Sequence, residues 1–213
     1  MTLKLYLHPL SSYCHKALIA FYENAIPFES KLIDGASFGD LRKLWPVGKF
    51  PVLQDEGRGE LIPESTIIIE YLSMHYPGKV KLIPEEADRA RQVRSRDRFF
   101  DNYLHTPMQK FPGDRMRPAD KRDPFGVDEA KAMYRTALGV VESEMADKTW
   151  AMGDEFTMAD CAAAPALFFG ERFYGSFRIT HPNSMAYLDR LMARPSYARA
   201  LAEAAPYMHL LPK

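Results

Sequence analysis

Ser11 and Cys14 stand three residues apart. Behind them lies an alternating stretch in which Leu3, Leu5 and Leu7 share one face, and ahead of them Cys14, Ala17, Leu18 and Phe21 recur at helical spacing. A strand-to-helix turn of this kind leaves backbone N–H groups unpaired at the positive end of a helix dipole. It therefore favours an anion such as a thiolate. Two cysteines at this spacing would form a dithiol redox pair with the first as nucleophile, but Ser11 holds the first place and only Cys14 keeps its sulfur. A serine without a neighbouring base is a poor nucleophile. Its hydroxyl can instead donate a hydrogen bond to a sulfur anion supplied by a ligand. Spacing alone favours a plain helix cap for Ser11 and a packed core thiol for Cys14.

Three further segments carry candidates. In Gly48-Lys49-Phe50-Pro51-Val52-Leu53 a proline opens a strand, where a cis bond can hold a tight turn and expose the preceding residue's N–H and C=O to a ligand's backbone. In Pro63-Glu64-Ser65 a helix begins; Ser65 and its N–H can hold a carboxylate and Glu64 can pair with an ammonium, although Ser65 also reads as an ordinary N-cap. Thr157 and Asp160 form a cap and third-position acid pair ahead of an apolar run, which is a structural device.

These candidates need elements to position them. The pattern reads strand, helix, a second strand over 28–33, a short helix over 41–45 stopped by Pro46 and Gly48, a hairpin from 50–53 and 60–62, and a helix opened by Ser65 and ended at Pro77-Gly78. Beyond residue 84 no alternating run appears. Helices are expected over 86–111, 128–147, 158–169, 184–193 and 197–204, with a Pro- and Gly-containing loop at 112–126. The expected fold class is α/β plus all-α: a βαβ-α-ββα domain at 1–78, a linker at 79–86 and an all-helical domain at 87–213.

A chain of 213 residues with 46% hydrophobic residues can bury a sizeable core, so a disordered or disulfide-scaffold chain is excluded. Lys and Arg number 28 and so do Asp and Glu, which leaves no global field for a polyanion; nucleic acid is not an expected partner. The balance hides five Arg between Arg89 and Arg98, read as a solvated or dimer-facing stripe. Two cysteines suit a reducing compartment, Met1-Thr2-Leu3-Lys4 leads straight into a strand rather than a signal peptide, and no stretch reaches membrane-span length. The expectation is a cytoplasmic protein with no membrane partner. The six His show no ligand-like pairing, so no metal is expected.

Each segment is weak singly, but their order is specific. The chain resembles the cytosolic glutathione transferase family over nearly its whole length, through Leu5-Tyr6 ahead of Ser11, through 48–53, through Glu64-Ser65 and through 153–160. The resemblance is to serine-type, theta/zeta-like bacterial members. It implies a thioredoxin-like N-terminal domain, a homodimer, glutathione as co-substrate and a small hydrophobic electrophile. By that resemblance Ser11 would hydrogen-bond the glutathione sulfur. Phe50 would bond the cysteinyl unit through its backbone beside a cis Pro51, Glu64 and Ser65 would hold the γ-glutamyl end, and Lys49 would reach the glycyl carboxylate. Cys14 matches the resolving cysteine of dithiol relatives. Trp45 stands where many relatives have Asn, and Ser12 could exchange roles with Ser11 by a one-residue shift.

The electrophile pocket is expected between the domains, lined by Leu10 and by the long helix after the linker. On that helix Val93, Phe100, Leu104 and Phe111 share an arc with Arg96 at its margin; Arg96, Phe100, Tyr103 and Phe111 are the candidates to reach substrate. Three alternatives stand beside a conjugating enzyme: a thiol transferase or reductase using Cys14, a zeta-like isomerase, and a non-catalytic binding protein on the same fold.

Overall fold

The computed structural model of the chain describes residues 2–212. The N-terminal elements are β1 (Leu3–Leu7), α1 (Ser12–Glu23), β2 (Glu29–Leu32), α2 (Phe38–Leu44), β3 (Val52–Asp55), β4 (Glu60–Pro63) and α3 (Ser65–His75). The strands form one mixed sheet in the order β2-β1-β3-β4. β2 runs parallel to β1, and β3 runs antiparallel to both β1 and β4. This is the thioredoxin-like order βαβ-α-ββα.

Period-2 alternation on β1 decides which face is buried against what. Leu3, Leu5 and Leu7 enter the main core with Leu53 and Ile62, while Tyr6 packs on the opposite face against a small cluster of Ile33, Leu41 and Val52. The main core continues without a break into the C-terminal helices. Those are α4 (Ala87–Phe99), α5 (Thr106–Arg115), α6 (Pro124–Glu144), α7 (Met158–Phe173), α8 (Pro182–Ala193) and α9 (Pro195–Ala204). The alanine-rich α7 is buried on nearly every side, and its small side chains let α1 and α4 approach closely. Thr157 and Asp160 close the capping box at its start, with Thr157 N–H 2.8 Å from Asp160 Oδ2.

The crossing between the halves is pinned at both ends. Asn24 exchanges two hydrogen bonds with the Val80 backbone at 2.8 and 3.0 Å, and Met158 N–H donates to the carbonyl of buried Leu82 at 2.8 Å. Arg194, at the start of α9, grips Glu23 at the end of α1 through two bonds of 2.6 Å.

The structure differs from the sequence expectation most between 86 and 126. Helix continues from Ala87 through Arg115, with Pro107 just after the π segment and Pro112 carried inside α5. Within this run Phe100–His105 is π-helical. A π turn inserts an extra residue, yet Phe111 of α5 still enters the core with Val93, Phe100 and Leu104.

Candidate functional site

Ser11 caps α1: its Oγ accepts the Cys14 N–H at 3.3 Å, and its own N–H closes a turn onto the His8 carbonyl at 2.9 Å. Since that oxygen already accepts from the backbone, the hydroxyl hydrogen is left to donate outward. Ser12 faces differently. It is buried, and its hydroxyl accepts from Gln109 Nε2 at 2.8 Å. Cys14 is fully buried, and desolvation pushes its thiol up to about 12 against the opposing pull of the Ser11 hydroxyl. A thiol in that state is no nucleophile at neutral pH. Ser12→Ala is accordingly expected to lower turnover less than fivefold, measured as kcat with glutathione and an aryl halide.

Two cavities meet at Ser11. The larger, about 610 Å³, has walls of Ser11, Tyr13, Trp45, Gly48, Lys49, Phe50, Pro51, Glu64, Ser65, Arg98, Asp101, Asn102 and Gln109. The smaller, about 380 Å³, is mainly apolar, with Leu10, Met108, Pro112, Met116, Phe169, Phe173 and Leu211 among its walls. Ser11, Phe50 and Gln109 belong to both.

All six candidates Ser11, Lys49, Phe50, Pro51, Glu64 and Ser65 thus come together around one cavity, although they lie on three separate stretches of chain. The Phe50–Pro51 peptide is cis. Ser65 is the first residue of α3 rather than its cap. The cap position belongs to Glu64, which makes no side-chain capping bond, so the first-turn N–H groups of α3 face a ligand without a competing side chain. Glu64 has φ +72° and ψ +121°, a region costly to any residue but glycine. Glu64→Ala and Glu64→Gly should both weaken retention on immobilised glutathione. Only the glycine relieves the backbone, so Glu64→Gly should be the more stable of the two by about 1 kcal/mol in thermal unfolding.

The substrate-pocket expectations need correction, Leu10 excepted, since Leu10 lines the smaller cavity. Arg96, Phe100, Tyr103 and Phe111 line neither. Phe100 is fully buried beneath the Arg96 guanidinium, which stacks over Phe99 and Phe100 and pairs with Glu144 at 2.7 Å. Phe111 packs in the core against Tyr134 and Tyr174, and Tyr103 points outward, half exposed. Burial is the physical reason: Val93, Phe100, Leu104 and Phe111 do share one face, but that face meets the core, and it is Met108, Gln109 and Pro112 of α5 that border the cavities.

Sequence reasoning missed Tyr13, Arg98, Asp101, Asn102 and Gln109. Behind them lies a buried ionic network. Lys16 of α1 has no exposed surface, and its ammonium reaches Asp97 at 2.6 Å, Asp101 at 2.7 Å and Thr66 at 2.7 Å. Arg98 also pairs with both carboxylates. Burial alone would raise the Asp101 pKa. His105, whose Nδ1 lies 3.7 Å away, and Lys16 overcome that and hold it at about 2. Tyr13 stacks on His105 at 4.1 Å, and burial pushes its hydroxyl up to about 12, so it remains a phenol. A Lys at helical spacing among apolar residues was the available signal. Among the described residues no three His, Cys, Asp or Glu gather as a metal-ligand group.

The N-terminal domain family of glutathione S-transferases matches residues 5–80, and the C-terminal domain family matches 114–195. The chain belongs to the glutathione transferase family. Glutathione S-transferase GstB of Escherichia coli K12 is 25% identical over 196 residues, covering 87% of this chain and 91% of the relative. A stringent starvation protein A homologue of Haemophilus influenzae is 26% identical, covering 91% and 87%. Among solved structures, a glutathione S-transferase of Methylobacterium radiotolerans in complex with glutathione sulfonate superposes with a TM-score of 0.82 at 26% identity, covering 94% of each chain. The family supports glutathione binding by this chain. No helix among the described residues is long and apolar enough to cross a membrane.

Proposed function

We propose that this glutathione transferase family member holds glutathione in the larger cavity with its sulfur at Ser11, and transfers the thiolate to a small hydrophobic electrophile in the smaller one. The observation that carries the reading is the shared wall: Ser11 borders both cavities, so a sulfur held there faces both the peptide's site and the electrophile's.

The chemistry asked of the protein is modest. A free thiol near pKa 8.5 is only a few per cent thiolate at neutral pH, and lowering it by two units takes about 2.7 kcal/mol. The outward hydroxyl of Ser11 and the N-terminus of α1 supply donors and dipole for that. The rest is proximity, since electrophile and thiolate share one wall. Glutathione's γ-glutamyl end goes to Glu64 and Ser65, and the cysteinyl backbone to Phe50 beside Pro51. The glycyl carboxylate goes to Lys49, which pairs with no carboxylate among the described residues, and to the Trp45 indole N–H, buried and likewise without a partner among them. A homodimer in the cytoplasm completes the reading. Ile67 and Met74, one heptad apart on α3, are exposed apolar residues suited to a partner surface, and both cysteines are free.

Burial of Cys14 speaks against thiol transfer through that residue. A binding protein without turnover is the second reading, and the stringent starvation protein A relatives favour it. The experiment that tests the proposal compares retention on immobilised glutathione with turnover over a panel of electrophiles. Retention with turnover supports transfer, and retention with no turnover anywhere favours the binder.

A further inference from the structure

His15 borders neither cavity, yet its ring touches the turn that carries Ser11. It is the fourth residue of α1 and has no exposed surface. A ring buried so completely needs a partner for its N–H, and Nε2 lies 2.6 Å from the Pro9 carbonyl oxygen. A carbonyl only accepts, so Nε2 carries the proton. Desolvation lowers the pKa of the ring to about 4 against the pull of that carbonyl, which leaves it neutral at pH 7 with its one proton on Nε2. Two aromatic rings of the C-terminal helices brace it: Phe169 of α7 at 5.4 Å, and Tyr197 of α9 edge-on at 5.8 Å.

The place of this bond gives it weight. The turn from His8 to Ser11 is closed by one backbone bond, from the Ser11 N–H to the His8 carbonyl at 2.9 Å. A turn bond of that kind leaves the middle peptide, here between Pro9 and Leu10, held by nothing in the turn's own backbone. Both ends of that peptide are nevertheless taken: the Leu10 N–H donates to His8 Nδ1 at 3.1 Å, and the Pro9 carbonyl accepts from His15. The backbone N–H of His15 also donates to the Ser11 carbonyl at 3.0 Å, so one residue grips the turn on both sides of Leu10. The ring is a strut between the packed helices α7 and α9 and the turn whose last residue is Ser11.

We propose that His15 is the positioning residue of Ser11: its Nε2–H, braced by Phe169 and Tyr197, holds the Pro9 carbonyl and so aims the Ser11 hydroxyl at the sulfur. The proposal rests on the transferase reading above. A donor must be held within about 0.5 Å of its productive place to stabilise charge. The capping bond of Ser11 itself, at 3.3 Å, is too long to fix the hydroxyl that closely. Loosening the turn therefore raises the pKa of the bound thiol while every group that touches glutathione stays in the chain.

The test uses the full chain with glutathione and reads the bound-thiolate transition by ultraviolet difference titration, beside kcat and KM with an aryl halide and thermal unfolding. Three variants divide the roles of the ring. In His15→Gln the side-chain amide still reaches the Pro9 carbonyl, in His15→Asn it is one methylene short, and His15→Leu keeps the bulk without a donor. The leucine and asparagine variants are expected to move the transition up by about one pH unit and to lower kcat at pH 7 about tenfold, with KM for glutathione changed less than about twofold. His15→Gln should restore both the transition and kcat. In a Ser11→Ala background His15→Leu should add no further shift, because it acts through Ser11. A transition that stays in place in the leucine and asparagine variants, however much thermal stability they lose, overturns the proposal and leaves His15 a packing residue. So does a glutamine variant that shifts as far as the asparagine one, or a shift that adds to that of Ser11→Ala. Should His15→Leu fail to fold, the contrast of glutamine with asparagine decides by itself. If Ser11→Ala alone leaves the transition where it stands in the wild type, the reading of Ser11 as the sulfur's donor fails, and the proposal with it.

Discussion

Replacing Ser11 with alanine is expected to lower kcat with an aryl halide about a hundredfold at neutral pH while retention on immobilised glutathione changes little. In the proposed binding mode the hydroxyl donates to the thiolate and not to the thiol, so its loss raises the pKa of the bound sulfur. A rise of about two units cuts the thiolate fraction by about a hundred. The other contacts proposed for the peptide, at Lys49, Glu64 and Ser65, are untouched. Ultraviolet difference titration of the bound thiolate should show the transition moving to higher pH. Because Ser11 also caps α1, the variant should lose about 1 kcal/mol of stability. Ser11→Asp separates the two roles, as an ionised aspartate caps a helix but has no proton to donate: it should keep the stability and still lose the rate. Wild-type kcat in Ser11→Ala, together with loss in Tyr13→Phe, Ser12→Ala or Cys14→Ala, would move the sulfur's donor to that other side chain.

The largest effect on stability is expected from Lys16→Met. Lys16 is wholly buried, and removing its ammonium leaves Asp97 and Asp101 with only the half-exposed Arg98 as a cation. Stripping one partner from a buried ionic group typically costs about 3–5 kcal/mol, and urea unfolding at pH 7 should show a loss of that order. The pH dependence follows from the direction of the Asp101 shift. Its folded pKa, about 2, lies below the unfolded value of about 3.9, so its contribution is complete above pH 4 and is lost as pH falls toward 2. In Lys16→Met the Asp101 carboxylate protonates more readily, so the gap between variant and wild type should narrow from pH 7 to pH 4. Because Lys16 ties α1 to Thr66 of α3, glutathione retention should fall as well. A loss below about 1 kcal/mol at pH 7 would show that Arg98 alone satisfies the two carboxylates.

How much could be read beforehand follows from how local each signal was. β1 was legible because Leu3, Leu5 and Leu7 alternate, and α7 because Thr157 and Asp160 announce its start. The order of strands and helices needed nothing beyond such short-range periods. The long helix after the linker was harder. A single helical phase finds the shared face of Val93, Phe100, Leu104 and Phe111, but that face meets the core, and Arg96, Phe100, Tyr103 and Phe111 lie away from the cavities. The arginine run, read as a solvated or dimer-facing stripe, divides in the fold: Arg91 and Arg94 pair on the surface with Asp88 and Glu70, Arg96 turns inward to Glu144, and Arg98 joins the wall of the larger cavity. Nothing in the spacing of Tyr13, Asp101 and Gln109 announces that they meet, because packing between sequence-distant helices brings them together.

The wall common to the two cavities also makes them thermodynamic partners. Ser11, Phe50 and Gln109 can adopt one arrangement at a time, and each cavity's occupant contributes to choosing it. Whatever factor by which bound glutathione changes the affinity for an electrophile, the electrophile must return to glutathione unaltered, because the two binding free energies belong to one cycle. A residue on that wall cannot be tuned for one guest in isolation. Selection for a new electrophile through Phe50 or Gln109 is therefore felt in the hold on the peptide, whereas Leu10, Met116 and Phe173 border the smaller cavity alone.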